Sequence, residues 1–283
     1  MADSTPTQHP ALQGVQRILA VSSCKGGVGK STTAVNTALS LARYGLRVGL
    51  LDADIYGPSL PTLLRPENPT LFQNQEGLIL PLEVEGLRAM SFGWIDPEQQ
   101  RGAAILRGPM VSQVISQLAT RVAWGDLDYL VIDLPPGTGD IQLTLVQSVP
   151  LTGAVMVTTP QEVAVADAVK AMNMFRLPSV NVPILGVVEN MSWFTPKELP
   201  DHKYFLFGEG GGKKLTKMAN SVLLGQVPLV QGIREAGDAG KPAVAQDDAV
   251  TKEAFLNVAR NAARQIVVRN ETMGPTQTVK VDE

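Results

Sequence analysis

The sequence predicts one α/β domain, a doubly wound, mostly parallel sheet flanked by helices. Three observations carry that expectation. Short apolar runs rich in Val, Ile and Leu recur along the chain, helical stretches alternate with them, and a glycine-rich turn joins the first run to the first helix. Continuous apolar runs suit strands buried on both faces, as in a parallel sheet covered by helices. Alternation through most of the 283 residues argues for a single sheet.

Residues 1–16 are polar and proline-containing and are expected to form a flexible leader. The first strand is RILAVSS (17–23), followed by a helix over 30–44. Later strands are RVGLLDAD (47–54), LDYLVIDLP (127–135), GAVMVTTP (153–160), ILGVVEN (184–190) and LLGQVP (223–228). Further helices are expected over 109–121, 140–148, 162–176, 212–220 and 251–269. The segment 66–100 keeps neither period and reads as an irregular insertion or a hairpin. The domain is therefore placed at 17–270, with a polar tail over 271–283.

A net charge of −3 offers no global positive field for nucleic acid, and none is expected as a partner. A single cysteine excludes an internal disulfide and fits a reducing compartment. No run reaches the roughly twenty apolar residues that span a bilayer. The start, MADSTPTQHPALQG, lacks the basic and apolar regions of a secretory signal, so a cytoplasmic location is expected. The last helix carries Phe255, Val258, Ala259, Ala262, Ala263, Ile266 and Val267 on one face, read as packing on the sheet rather than on a membrane. KKLTK (213–217) reads as a solvated basic face.

The turn itself is SSCKGGVGKST (22–32). Strand, glycine-rich loop and helix are the setting that a phosphate-binding loop of pattern G-x-x-x-x-G-K-[ST] requires. Gly29, Lys30 and Ser31 fit, whereas Cys24 occupies the first glycine position. Gly26, Gly27 and Gly29 let the backbone of the loop, Val28 included, curl its N–H groups toward phosphate oxygens, and the helix start adds its positive end. Lys30 is then expected on the β- and γ-phosphates of ATP, Ser31 on Mg²⁺ and Thr32 against the α-phosphate. Asp52 and Asp54 end the second strand and Asp133 ends the third, where ligands of open α/β sheets bind. Four apolar residues before Asp133 make a Walker B pattern, whose carboxylate holds Mg²⁺. Strand-end aspartates are also common caps and turn formers, and Asp140 reads equally either way. Asp128 is the weaker candidate of the set.

Lys25 extends a resemblance. K-G-G-x-G-K-[ST] resembles the deviant Walker A motif of the MinD/ParA class of P-loop NTPases. In that class the early lysine reaches the partner's phosphates across a dimer, so the resemblance implies a homodimer in which Lys25 acts in trans. It further implies that Asp54 orients the attacking water and that Asp52 supports the Mg²⁺ and Lys30 region. DADIYGPSLP, LRGPMVSQ, DYLVIDLPPGTGD, VVENMSWF, FGEGGGKKL and PLVQGIREAGDAGKP are similar, more narrowly, to the Mrp/ApbC-type ATPases, cytosolic proteins that carry and deliver iron–sulfur clusters. That resemblance implies slow ATP hydrolysis, apo iron–sulfur proteins as clients, Asn190 on the adenine, and the loop around Pro228 and Leu229 closing over the base. Arg107, within LRGPM, has no derivable role.

One departure stands out. Many members of that family hold a bridging cluster with a Cys-x-x-Cys pair after VVENM, and here MSWFTPKELPDHKYFLFGEGGG has no cysteine. A dimer would offer two Cys24 thiolates where a cubane wants four. Cys24 is read as a cluster ligand or as a small residue tolerated in the turn. Trp193 and Phe194 are read as a partner surface or as core. The rival function is a ParA/MinD-like positioning or partition ATPase acting on DNA or membrane, and the blander one is a nucleotide-dependent scaffold without cluster chemistry.

Overall fold

Every residue of Ile18–Ser22 is buried, and successive side chains enter two different cores. Ile18 and Ala20 join one, Leu19 and Val21 the other. That is the consequence of a period-two strand covered on both faces. The structure, a computed structural model, describes residues 10–95, 118–196 and 198–274.

The strands are β1 Ile18–Ser22, β2 Val48–Asp52, β3 Leu82–Val84, β4 Leu87–Ser91, β5 Tyr129–Asp133, β6 Gly153–Thr158, β7 Ile184–Glu189 and β8 Val222–Gln226. They form one sheet in the order β3-β4-β2-β5-β1-β6-β7-β8. Only the pairing of β3 with β4 is antiparallel. The six strands expected from the apolar runs are all present. The irregular segment contains the β3–β4 hairpin, turned by Glu85 and Gly86 at φ 52° and 78°. Both turn residues lie in the left-handed region that a two-residue hairpin turn of this hand demands.

The helices are α1 Lys30–Arg43, α2 Leu60–Leu63, α3 Asp140–Ser148, α4 Glu162–Phe175, α5 Gly211–Ala219, α6 Gln231–Asp238 and α7 Ala249–Thr272. Helices α1 and α7 fill one core, and α3, α4 and α5 the other. In α7, Phe255, Val258, Ala259, Ala262 and Ile266 face α1 and β8, each of the larger ones contributing about 2 kcal/mol of burial. Val267, expected on that face, is 57 % exposed. No helix among the described residues is long and apolar enough to cross a membrane.

One expectation needs correction. Side chains within 11–15, assigned to the leader, are packed: Leu12 is 1 % exposed and Val15 bridges to Leu127 beside the start of β5. Leu12 and Val15 supply an apolar contact that the polar average of the segment conceals. Helices α2 and α6 had no sequence signal, because α2 is a single turn and α6 buries only Ala236. The expected helix 109–121 lies outside the described residues except at its end, where 118–120 are helical, and Arg107 lies outside them too.

Candidate functional site

Between β1 and α1 the chain folds around a cavity of about 440 Å³ at the C-terminal edge of the sheet. Gly27 and Gly29 take φ of 79° and 86°, which only glycine adopts at little cost. At Gly29 there is a second constraint, since a Cβ would lie 2.1 Å from Asn190 Nδ2. Gly26 keeps an ordinary φ with open space around it, so its backbone does not itself demand glycine.

Lys25, Gly26, Gly27, Gly29, Lys30, Ser31 and Thr32 line the cavity, together with Asp54, Pro58, Ser59 and Pro136. Val28 turns its side chain into the core and is not among the lining residues. Among the described residues no carboxylate lies within ion-pair distance of Lys25. Its carbonyl accepts a hydrogen bond from Ser23 Oγ at 3.1 Å, which fixes the backbone that presents it.

Lys30 turns inward. Its Nζ lies 2.5 Å from Asp133 Oδ1 and 3.4 Å from Ser31 Oγ. Both partners of the ion pair are buried, and Asp133 Oδ2 has no hydrogen-bond partner. Burial pushes the Asp133 carboxyl above its usual range, and the Lys30 ammonium works against that rise. A buried, unsatisfied carboxylate oxygen beside a serine hydroxyl is the hard oxygen donor set that Mg²⁺ takes, so the residues present fit that ion.

Asp52 and Asp54 have different roles. Asp54 Oδ1 accepts from Gly57 N at 3.1 Å, and its carboxylate borders the cavity. Asp52 is fully buried, and its oxygens accept from Asp54 N, Ser59 N, Leu60 N and Ser91 Oγ at 2.8–3.1 Å. Three of the four donors fall on Oδ2 and one on Oδ1, and Asp52 is not among the residues that line the cavity. It ties the 53–60 loop to the end of β4. Burial raises the Asp52 carboxyl to about 7, helped by the charge of Asp133 and opposed by the N–H groups of Leu60 and Asp54 and by Lys30.

Asn190 donates from Nδ2 to Val28 O at 2.8 Å, so here it braces the loop from behind and does not line the cavity. Pro228 is buried just beyond β8 and likewise lies away from the cavity. Cys24 packs against the core beside α4. Burial raises its thiol, followed by the charge of Asp167, and it does not face the cavity. Among the described residues no three His, Cys, Asp or Glu side chains group as a metal site. One thiol per chain falls short of the four that a cubane cluster takes. Asp140 opens α3 without a capping bond, and Asp128 pairs with Arg47 at the far edge of the sheet.

Two buried polar residues escaped the sequence reading. Glu189 accepts from Ser192 Oγ, Gly212 N and Gln226 Nε2 at 2.5–3.0 Å, locking the start of α5 and the end of β8 to β7. A Cβ on Gly212 would sit 2.8 Å from that of Glu189, which explains a glycine there. Gln142 lies on the buried face of α3 with Leu145 and Val146. A polar residue on an otherwise apolar helical face was the available signal.

A family model described as NUBPL iron-transfer P-loop NTPase, of the ParA group, matches residues 14–263. An iron–sulfur cluster carrier protein of Synechocystis is 51 % identical over 89 % of this chain and 71 % of its own length. The iron–sulfur cluster transfer protein NUBPL of Dictyostelium discoideum is 45 % identical over 92 % of this chain and 80 % of its own. Among solved structures, a nucleotide-binding protein of Archaeoglobus fulgidus in complex with ADP aligns at TM-score 0.73 and 34 % identity, covering 87 % of this chain and 94 % of that one. The cell division ATPase MinD of Pyrococcus furiosus shares the fold, at TM-score 0.61 and 22 % identity over 88 % of this chain and 98 % of its own. This chain belongs to the Mrp/ApbC-type iron–sulfur cluster carrier branch of the ParA/MinD P-loop NTPase family.

Proposed function

We propose that the protein binds ATP with Mg²⁺, hydrolyses it slowly as a homodimer, and through that cycle assists the maturation of apo iron–sulfur proteins in the cytoplasm. The observation that carries the reading is the convergence of Lys25, Lys30, Ser31 and Asp54 on one cavity, with Asp133 Oδ2 unsatisfied beside it. Lys30 leaves Asp133 for the β- and γ-phosphates, which frees the carboxylate. Ser31 and Asp133 would hold the cation, which would supply positive charge against the phosphates. Asp54 orients a water whose oxygen bonds to the γ-phosphorus as the bond to the bridging oxygen of ADP breaks. Lys25 reaches the partner subunit's phosphates. Asn190 and Pro228 serve the adenine once the base displaces Asn190 from Val28.

Since each chain carries one cysteine, the link to iron–sulfur chemistry runs through the client in this reading. An apo client supplied with iron and sulfide is expected to mature faster with wild type and ATP than with the Lys30→Ala variant. Equal rates would sink the maturation reading. The rival role on DNA or membrane rests on fold likeness alone. ATP-dependent pelleting with liposomes or retention on DNA would restore it.

A further inference from the structure

Gln142 is 1 % exposed, and its Nε2 donates to Ser22 Oγ at 2.8 Å. Ser22 is itself fully buried and ends β1, immediately before the loop that carries Lys25. Gln142 lies in the first turn of α3, directly after the Pro135–Gly139 turn, whose Pro136 faces the same cavity as Lys25. One hydrogen bond thus joins the two segments that border the phosphates from opposite sides of β1 and β5.

The bond is not an efficient way to stabilise the fold. Gln142 Oε1 is buried with no partner, and such an atom costs more than a satisfied amide returns. An apolar side chain of equal length beside Leu145 and Val146 would pack without that penalty. Packing alone therefore gives no reason for glutamine.

We propose that Gln142 is a positioning residue for hydrolysis. Through Ser22 it holds the Pro135–Gly139 turn and the Lys25 loop in one register, so that the turn meets its own subunit's γ-phosphate while Lys25 is presented to the partner subunit's. The role rests on the hydrolase reading above. Binding of the nucleotide needs only the loop and Lys30, so the register matters for turnover and not for affinity.

The test compares wild type, Gln142→Met, Ser22→Ala and the double variant by steady-state ATP turnover, labelled-ATP affinity and thermal melting. Gln142→Met is expected to lower kcat about tenfold with affinity changed less than about twofold, the signature of an interaction used only on the way to the transition state. Ser22→Ala should cost about the same, and the double variant no more than either, because both remove one bond. The double variant should melt at or above the wild-type temperature, since both polar partners are then gone. Unchanged kcat in Gln142→Met, additive losses, or losses that track the melting temperature would each overturn the role. No turnover in wild type would instead sink the hydrolase reading, and the positioning role with it.

Discussion

The C-terminal edge of the sheet has two unlike halves. At the ends of β5, β1 and β2, charge is buried and matched: Lys30 on Asp133, and Asp52 under four donors. Beyond β7, Phe194 pairs with Tyr204 through two 2.8 Å backbone bonds, and Tyr204, Phe205 and Leu206 stand exposed. In the family resemblance that second half holds the cysteines, and here it holds none. Phosphate recognition is built from backbone geometry, which spacing dictates. Partner and cargo recognition is built from side chains, which the fold leaves free to differ.

The largest break is Lys30→Ala. Affinity for Mg-ATP should fall at least ~100-fold, since the charge-assisted contacts to two phosphates go together. Asp133 is also left buried without its cation, at a cost of about 3 kcal/mol in the ligand-free protein. Labelled-ATP titration and a melting curve measure both. Affinity within tenfold of wild type would mean that the cavity is not the phosphate site.

Lys25→Ala comes next. Its side chain borders the cavity but braces nothing in the fold, so binding should stay within about threefold. Turnover should fall by about 10³, the scale of a cation supplied across an interface. Wild-type turnover in this variant would refute the trans role.

The same contrast explains what the sequence could reveal. Gly27, Gly29, Lys30 and Asp133 were legible because strand, turn and helix impose fixed offsets, and a loop that curls around phosphates needs those residue types. Asp52 is ambiguous in sequence, because a strand-end aspartate looks the same whether it supports a cation or ties a loop, and the ties to Ser59, Leu60 and Ser91 are visible only in the fold. Gln142 was missed since Ser22 lies 120 positions away, and Glu189 since Gly212 and Gln226 lie 23 and 37 positions away. Asn190 was placed by resemblance, and its bond to Val28 could not be read from a separation of 162 positions. Cys24 is ambiguous in sequence, and the structure places it half-buried against the core beside α4.

The buried carboxylates also give the two halves different pH responses. Asp52 titrates near 7 in the folded protein and near 4 when unfolded, so between those values the folded chain holds a proton that the unfolded chain has released. Stability should therefore fall as pH rises from about 4 to about 7, and the Asp52 contribution should level off above that. Asp133 is raised in the same direction and steepens the fall. Melting curves across the window, for wild type and Asp52→Asn, should show a shallower slope in the variant. Equal slopes would mean that Asp52 is ionised throughout and that its four donors outweigh its burial.

The smallest expected effect tests whether the halves communicate. Lys203 Nζ stands 4.2 Å from the centre of the Trp193 ring, an exposed cation–π contact of about 0.5–1 kcal/mol. Lys203→Ala should shift Trp193 emission, lower stability by no more than that, and leave ATP turnover unchanged. Altered turnover would mean that the hairpin reports to the phosphate loop. The physical route would be the turn after β7, where Asn190 donates to Val28 O while Ser192 donates from Oγ to Glu189 and from its backbone N to Val227 O. Met191, at φ 55°, sits in the strained left-handed region between them. Relaxing that turn with Met191→Gly should then abolish the effect of Lys203→Ala on turnover, whereas two independent halves would leave both variants without any.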